Sequence, residues 1–175
     1  MIKIKDKEFQ PFINADTIQD RLFKLGTEIT RDYVDKTPLL IGILNGSFMF
    51  LSDLVKYISC PIEVSFIRVA SYHGTTSTGE VQSILGLNTD LKGRHVIIVE
   101  DIVDTGLSMK KILEELGTML PESISVVTLL LKPEALKHPI DCKYVGFEIP
   151  NKFVVGYGLD YDGLGRNLPE IYQLK

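Results

Sequence analysis

Cysteine, histidine and long apolar runs are all scarce in this chain, and each shortage removes a class of protein. Among 175 residues there are two cysteines, Cys60 and Cys142, with no Cys-x-x-Cys spacing. A disulfide scaffold is excluded, and two reduced buried thiols are expected. The three histidines, His73, His95 and His138, are scattered and show no metal-ligand spacing. The longest apolar stretches, such as residues 38–44, are far too short to span a bilayer. The opening residues, MIKIKDKEF, lack the apolar core of a secretory signal. A cytoplasmic protein with no membrane partner is therefore expected. The formal net charge of −4 argues against a broad nucleic-acid surface. There is no GxxxxGK[ST] loop. Gly156-Tyr157-Gly158 resembles the start of a dinucleotide fingerprint, but no third glycine stands at the right spacing and no helical pattern follows. Kinase and dehydrogenase readings are poor for that reason.

What is present is an ordinary globular composition, 45% hydrophobic and 24% charged, which suffices for a real core. With no low-complexity tract, internal repeat or long linker, one domain over residues 1–175 is expected. Residues 15–35 read as a helix, with Asp16 as N-cap and Ile18, Leu22, Leu25, Ile29 and Tyr33 on one face. Pro38 to Leu44 reads as a buried strand ending at Asn45-Gly46, and a second helix follows over about residues 47–58. Glu63 to Ser71 is another strand. Residues 72–80, YHGTTSTGE, are a loop, and residues 81–87 a returning strand, which together suggest a hairpin arm. Ser123 to Leu131 is a strand stopped by Lys132-Pro133. Short strands follow at 144–149 and 153–156, with an edge strand at 170–173. Strands alternating with helices predict an α/β fold: an open, mostly parallel sheet with helices on both faces.

The most informative segment is residues 96–108, VIIVEDIVDTGLS. Val96 to Val99 form a short apolar strand of the kind buried in a parallel sheet. It ends in Glu100 and Asp101, passes two apolar residues, and reaches Asp104-Thr105-Gly106. A helix is predicted from about Leu107, with Met109, Ile112, Leu113 and Leu116 at helical spacing. Such a loop, between a strand's carboxyl end and a helix N-terminus, is a ligand site in open α/β sheets. Unpaired backbone N–H groups and the hydroxyls of Thr105 and Ser108 suit a phosphate. Three carboxylates in five residues repel an anion, unless the ligand is a phosphorylated sugar. Carboxylates accept from ribose hydroxyls, or hold Mg²⁺ against a diphosphate. A solvated strand-end turn also uses acids, Thr and Gly, but does not require the strand, three acids, small turn and helix in this order.

This acid-acid-x-x-acid-Thr-Gly loop resembles the signature of the type I phosphoribosyltransferases, which bind 5-phosphoribosyl 1-diphosphate. The chain is similar over nearly its whole length to the hypoxanthine-guanine phosphoribosyltransferases. The match runs through LNGS at 44–47, SY at 71–72, VEDIVDTG at 99–106 and the stretch from Lys132 to Arg166 containing GFEIPNKFVVGYGLDY. The resemblance implies a type I fold with a small hood from the N- and C-terminal segments. It places a flexible hairpin lid at about 71–81 and the base-binding part of the hood at about 150–175. It implies a homo-oligomer, a dimer or tetramer, and transfer of the phosphoribosyl group to hypoxanthine or guanine with Mg²⁺ and release of pyrophosphate. Asp104 is then the general base, taking a proton from the imidazole ring of the purine. Glu100, Asp101, Ile102, Val103, Asp104, Thr105, Gly106, Leu107 and Ser108 form the phosphoribosyl loop, with Leu107 serving through its backbone. Leu44, Asn45, Gly46, Ser71, Tyr72 and Arg166 face pyrophosphate. Lys132, Phe153, Val154 and Asp160 face the purine, and Glu100, Asp101 and Asp160 serve metal. The family often has a cis peptide at the position of Leu44-Asn45. One common version carries lysine where Asn45 stands, so a side-chain charge contact at this position is in doubt.

Lys132 has its own chemical reading. An ammonium donates to a carbonyl oxygen and suits the amino group of adenine poorly, which favours 6-oxopurines. Xanthine stays open as an acceptor, since its extra oxo group is read by backbone around Val154 to Asp160. A different class of reading is a non-catalytic regulator on the same fold, binding nucleotide and RNA. That reading needs a basic face, which the acidic balance does not favour.

Overall fold

The computed structural model describes residues 1–71 and 82–175. The expected lid, apart from Ser71 at the end of a strand, lies outside the described residues, as does Tyr72. In chain order the elements are β1 (Ile2–Ile4), β2 (Lys7–Ile13), α1 (Ala15–Asp32), β3 (Leu39–Leu44), α2 (Phe48–Leu54), β4 (Glu63–Ser71) and β5 (Gln82–Leu85). There follow β6 (His95–Val103), α3 (Leu107–Gly117), β7 (Ser123–Leu131), β8 (Tyr144–Glu148), β9 (Val154–Val155) and β10 (Ile171–Leu174).

The main sheet has six strands in the order β5-β4-β3-β6-β7-β8. All neighbours are parallel except β5, which runs antiparallel to β4. Alternate residues of the central strands serve opposite faces. Leu40, Ile97, Val99, Val127 and Leu129 pack with α1 and α2, through Ile18, Leu22, Leu25, Phe50 and Leu54. Leu39, Ile41, Val96, Ile98 and Val126 pack with α3, through Met109, Ile112 and Leu116. Helices thus cover both faces, as the sequence pattern predicts. The chain passes from β3 to β4 in one direction and to β6 in the other. The carboxyl ends of β3 and β6 therefore flank a topological switch point, where open α/β sheets leave a crevice for ligands.

The second sheet, ordered β1-β2-β10-β9, joins the chain's two ends into a hood. Phe9 and Val155 are fully buried there, and Ile4 nearly so. The stretch placed at 170–173 as an edge strand sits instead between β2 and β9. Its alternation is the same for an edge or an inner strand, and only the N-terminal hairpin β1–β2 decides which it is.

Three further boundaries differ from expectation. Asn14, not Asp16, caps α1: its side-chain oxygen accepts from Thr17 N–H at 2.8 Å, leaving Asp16 in the first turn. The helix ends at Asp32 because Tyr33 leaves helical geometry. The second helix stops at Leu54 and finishes as a 3-10 turn at Val55–Tyr57. Among the described residues no helix is long and apolar enough to cross a membrane.

Candidate active site

Strand β6 does not end at its acids. Glu100 pairs with Thr128, Ile102 with Leu130 and Val103 with Leu131 on β7, so the ladder carries the acids inside the sheet. The reading of a strand ending at Val99 was too short because acids ordinarily mark turns. A solvated turn is thereby ruled out for Glu100 and Asp101. Burial pushes the Glu100 carboxyl well above the usual carboxylate range, and neighbouring Asp101 adds to the push. Burial also raises Asp101, against hydrogen bonds from Glu100 and the backbone and the field of Arg166. Two acids crowded this way favour a shared proton or a bound cation.

Beyond Val103 the backbone turns through Asp104 and Thr105 to Gly106, the N-cap of α3. Gly106 sits at φ +81°, and a Cβ there would stand 2.4 Å from the His138 carbonyl oxygen, so glycine is required. The carbonyl of Thr105 accepts from Lys137 and His138 N–H, fixing the loop from behind. The N-cap Gly106 has no side chain to offer and no acid stands in the first turn; Thr105 Oγ1 accepts from Leu107 N–H at 3.4 Å, and the remaining first-turn N–H groups suit an anion. Glu100, Ile102, Val103, Asp104, Thr105, Gly106, Ser108 and Met109 line a cavity of about 100 Å³ at this point. Of the nine expected loop residues, Asp101 and Leu107 are not among those lining it. Leu107 is exposed at the surface, consistent with a backbone role.

Asp101 turns toward β3. A Cβ on Gly46 would lie 1.6 Å from Asp101 Oδ2, so the acid occupies the space a side chain would need. Leu44-Asn45 is a cis peptide. Ser47, fully buried, donates through its hydroxyl to the Ile43 carbonyl at 2.7 Å and closes the loop on itself. The short loop Leu44–Gly46 is thus packed directly on the acid pair.

Lys132 follows β7 and is 6% exposed. A lysine at a strand end is normally solvated, but here Nζ lies 3.0 Å from Asp104 Oδ2. The Asp104 side chain is 48% exposed and that of Lys132 7%, so the aspartate is the freer partner. An acid and a buried ammonium therefore face each other beside the cavity.

In the hood, Phe153 is 44% exposed, with its ring edge-on to Tyr161 at 5.9 Å and tilted against Phe9 at 6.3 Å. Its face is available for stacking. Val154 lies on β9, the hood's outer strand, whose free edge leaves backbone groups unpaired by the sheet. Asp160 and Arg166 hold each other: Arg166 Nη2 is 2.6 Å from Asp160 Oδ1, and Nη1 donates to the Gly158 carbonyl at 2.6 Å. The other Asp160 oxygen accepts from Gly163 N–H at 2.7 Å. Asp160 does not join Glu100 and Asp101, and no group of three potential metal-ligating side chains occurs among the described residues.

Sequence reasoning dismissed Gly156-Tyr157-Gly158 as a decoy, and the structure gives it work. All three residues have positive φ, at 98°, 50° and 101°. A Cβ on Gly158 would stand 2.2 Å from the Gly46 carbonyl oxygen, so the hood loop touches the loop after β3. Tyr157 donates its hydroxyl to Asp53 Oδ2 on α2 at 2.6 Å, where Gln19 and Lys56 also donate. Although burial pushes the Asp53 carboxyl up, those donors outweigh it and hold it below the usual range. Asp53 lies on α2, and only the fold brings it to Tyr157. The single signal available was a Gly-x-Gly triplet outside any helix or dinucleotide pattern.

A sugar-phosphate cradle at a helix N-terminus, an acid pair behind it and a hood over the strand ends define a class of enzyme that transfers phosphoribosyl groups. The phosphoribosyl transferase domain matches residues 14–162, and the chain belongs to that family. It is 48% identical over 164 residues to a hypoxanthine-guanine phosphoribosyltransferase of Staphylococcus aureus strain Mu50, covering 93% of this chain and 92% of the relative. It is 46% identical over 164 residues to one from Streptococcus pneumoniae strain R6, covering 93% and 91%. A crystal structure of hypoxanthine phosphoribosyltransferase from Staphylococcus aureus superposes with a TM-score of 0.89 at 43% identity, over 97% of this chain and 92% of that one. The hypoxanthine phosphoribosyltransferase of Trypanosoma cruzi in complex with the product IMP gives 0.88 at 34% identity, over 100% and 98%.

Proposed function

We propose that this phosphoribosyltransferase works in purine salvage, moving the 5-phosphoribosyl group of 5-phosphoribosyl 1-diphosphate to hypoxanthine or guanine and releasing pyrophosphate. The observation that carries the reading is the Lys132–Asp104 pair beside the α3 cavity. The relatives' names and the IMP held by the Trypanosoma cruzi enzyme point the same way. In this reading the backbone from Thr105 to Ser108 holds the 5-phosphate and Glu100 and Asp101 hold the ribose hydroxyls. Lys132 leaves Asp104 to donate to the purine 6-oxo oxygen. The freed Asp104 carboxylate accepts the imidazole proton as the ring nitrogen bonds to the anomeric carbon and the bond to pyrophosphate breaks. Phe153 stacks on the base, an interaction worth on the order of 1–3 kcal/mol.

Adjacent half-buried carboxylates are hard oxygen donors that resist double ionisation, and this fits Mg²⁺. Mg²⁺ is usually held by one or two carboxylates plus substrate phosphates, so a site with fewer than three protein ligands suits it. Glu100 and Asp101 would hold it on the ribose side and Asp160 on the pyrophosphate side, where it would neutralise the charge of the leaving group. We also infer a cytoplasmic enzyme of one domain that forms a closed homo-oligomer. Light scattering that returns the monomer mass of 19.6 kDa at working concentration overturns the last point.

The test is an assay of 5-phosphoribosyl 1-diphosphate and Mg²⁺ with five bases: hypoxanthine, guanine, xanthine, adenine and uracil. IMP and GMP are the expected products, and chelator abolishes their formation until Mg²⁺ is restored. Turnover with adenine alone overturns the assignment.

A further inference from the structure

Arg68 stands outside every residue set considered so far. It lies on β4, paired in register with Leu44 at the end of β3, so its side chain emerges beside the loop Leu44–Gly46. It is exposed, and Nη2 donates to Asn45 Oδ1 at 3.3 Å. No carboxylate lies within 4.0 Å of it among the described residues, whereas Arg166, the other guanidinium of this rim, is held by Asp160 and the Gly158 carbonyl. The fixed acids here, Asp101 and Asp160, make the rim unfavourable for an anion, and Asn45 itself brings no charge. A leaving diphosphate needs a cation on this side, and a guanidinium offers paired donors that fit phosphate oxygens.

We propose that Arg68 is a pyrophosphate-binding residue, and that Asn45 is a neutral rest which aims its guanidinium over the loop. The proposal depends on reading Leu44–Gly46 as the pyrophosphate loop. It explains how a chain with asparagine at position 45 can still place positive charge there: the charge comes from the neighbouring strand.

The experiment runs the reaction in reverse, from IMP and pyrophosphate with Mg²⁺, on wild type, Arg68→Gln, Arg68→Lys, Arg68→Gln combined with Asn45→Lys, and Arg166→Gln. Each variant's melting temperature is checked. For Arg68→Gln the KM for pyrophosphate is expected to rise about tenfold or more, the scale of one lost charged contact, with the KM for IMP within about twofold. Arg68→Lys falls between, and Asn45→Lys in the Arg68→Gln background restores most of the loss. If Arg68→Gln leaves the pyrophosphate KM unchanged while Arg166→Gln raises it, the assignment of Arg68 is overturned and the site reading survives. If neither substitution moves it, the reading of this rim as the pyrophosphate side is overturned as well.

Discussion

On the proposed reading, the two sides of this active site are built by opposite means. The phosphoribosyl side is one continuous segment, Glu100 to Ser108, shaped by its backbone and anchored by main-chain bonds such as those to the Thr105 carbonyl. The proposed pyrophosphate side is assembled from three distant pieces, Leu44–Gly46, Arg68 on β4 and Gly156–Arg166 in the hood, with Asp53 on α2 bracing the last through Tyr157. Those pieces meet through side chains and close glycine contacts, namely Arg68 on Asn45, Gly158 on Gly46 and Tyr157 on Asp53. A backbone cradle resists loss of single side-chain atoms, while a rim held by side-chain hydrogen bonds does not. Reverse kinetics separates the two, because IMP reports on the cradle and pyrophosphate on the rim.

The largest effect is expected at Asp104, where the comparison turns on chemistry instead of binding. Asp104→Asn keeps shape and hydrogen-bonding capacity but removes the proton acceptor. The chemical step should fall by roughly 10²–10⁴-fold, and affinity for 5-phosphoribosyl 1-diphosphate should change far less. Single-turnover kinetics reads the chemical step directly, without masking by slow product release. A near-normal rate would show that the acid only orients the base and its lysine partner.

Next comes Gly106→Ala, a direct attack on the cradle. The added Cβ meets the His138 carbonyl in a left-handed conformation. The loop must shift, and the KM for IMP should rise by about tenfold or more, an effect on the scale of 1.4 kcal/mol. The KM for pyrophosphate should move much less. Equal rises in both constants would mean the two sides are not independent.

The difference between the sides also sets what was legible in the sequence. The cradle could be read whole because its residues are contiguous, in the order strand, acids, turn, helix. Even there, the strand was placed too short, since acids inside a ladder look locally like a turn. Lys132 was legible as chemistry, but its burial and its contact with Asp104 depend on β7 lying beside β6. The rim was only partly legible. Asn45 marked a departure from the family pattern, yet nothing in FIRVAS distinguishes Arg68 from a solvated arginine on an alternating strand. The Asp53–Tyr157 contact joins residues 104 positions apart, a distance no local pattern spans. The hood shows the same limit, because the inner position of β10 is decided by residues at the other end of the chain.

Tyr157→Phe tests the rim with the loss of one oxygen atom. It removes a 2.6 Å hydrogen bond to a carboxylate, and such bonds contribute about 1.5–3 kcal/mol when buried. Asp53 keeps Lys56 and Gln19 as donors, so the expected destabilisation is at the low end, about 1.5 kcal/mol. The Gly158–Gly46 contact loosens with it. The KM for pyrophosphate should rise a few-fold while that for IMP stays near wild type, the mirror image of Gly106→Ala. A rise confined to IMP would reverse the roles assigned to the two sides.

The smallest effect is expected away from both sides, at Asp32, and it calibrates the others. Asp32 closes α1 against β8: it accepts from the Tyr144 hydroxyl at 2.7 Å and pairs with Lys143 at 2.9 Å. The Tyr144 hydroxyl, with Lys143 and Arg31, holds its carboxyl down to about 2 from an ordinary 3.8. A depressed carboxyl stabilises the fold above its unfolded value and loses that contribution as pH falls through its folded value. Wild type should therefore exceed Tyr144→Phe in stability by about 1 kcal/mol at neutral pH, once solvent screening is allowed for. The gap should hold down to about pH 4 and shrink as pH falls toward 2. Melting temperatures of both proteins across that range measure it. Neither KM should move at neutral pH, because this contact is not part of the cradle or the rim. A gap independent of pH would assign the loss to packing around Tyr144. A shift in the pyrophosphate KM would mean that the rim responds to stability at large, and the Tyr157→Phe result would then say nothing specific about Asp53.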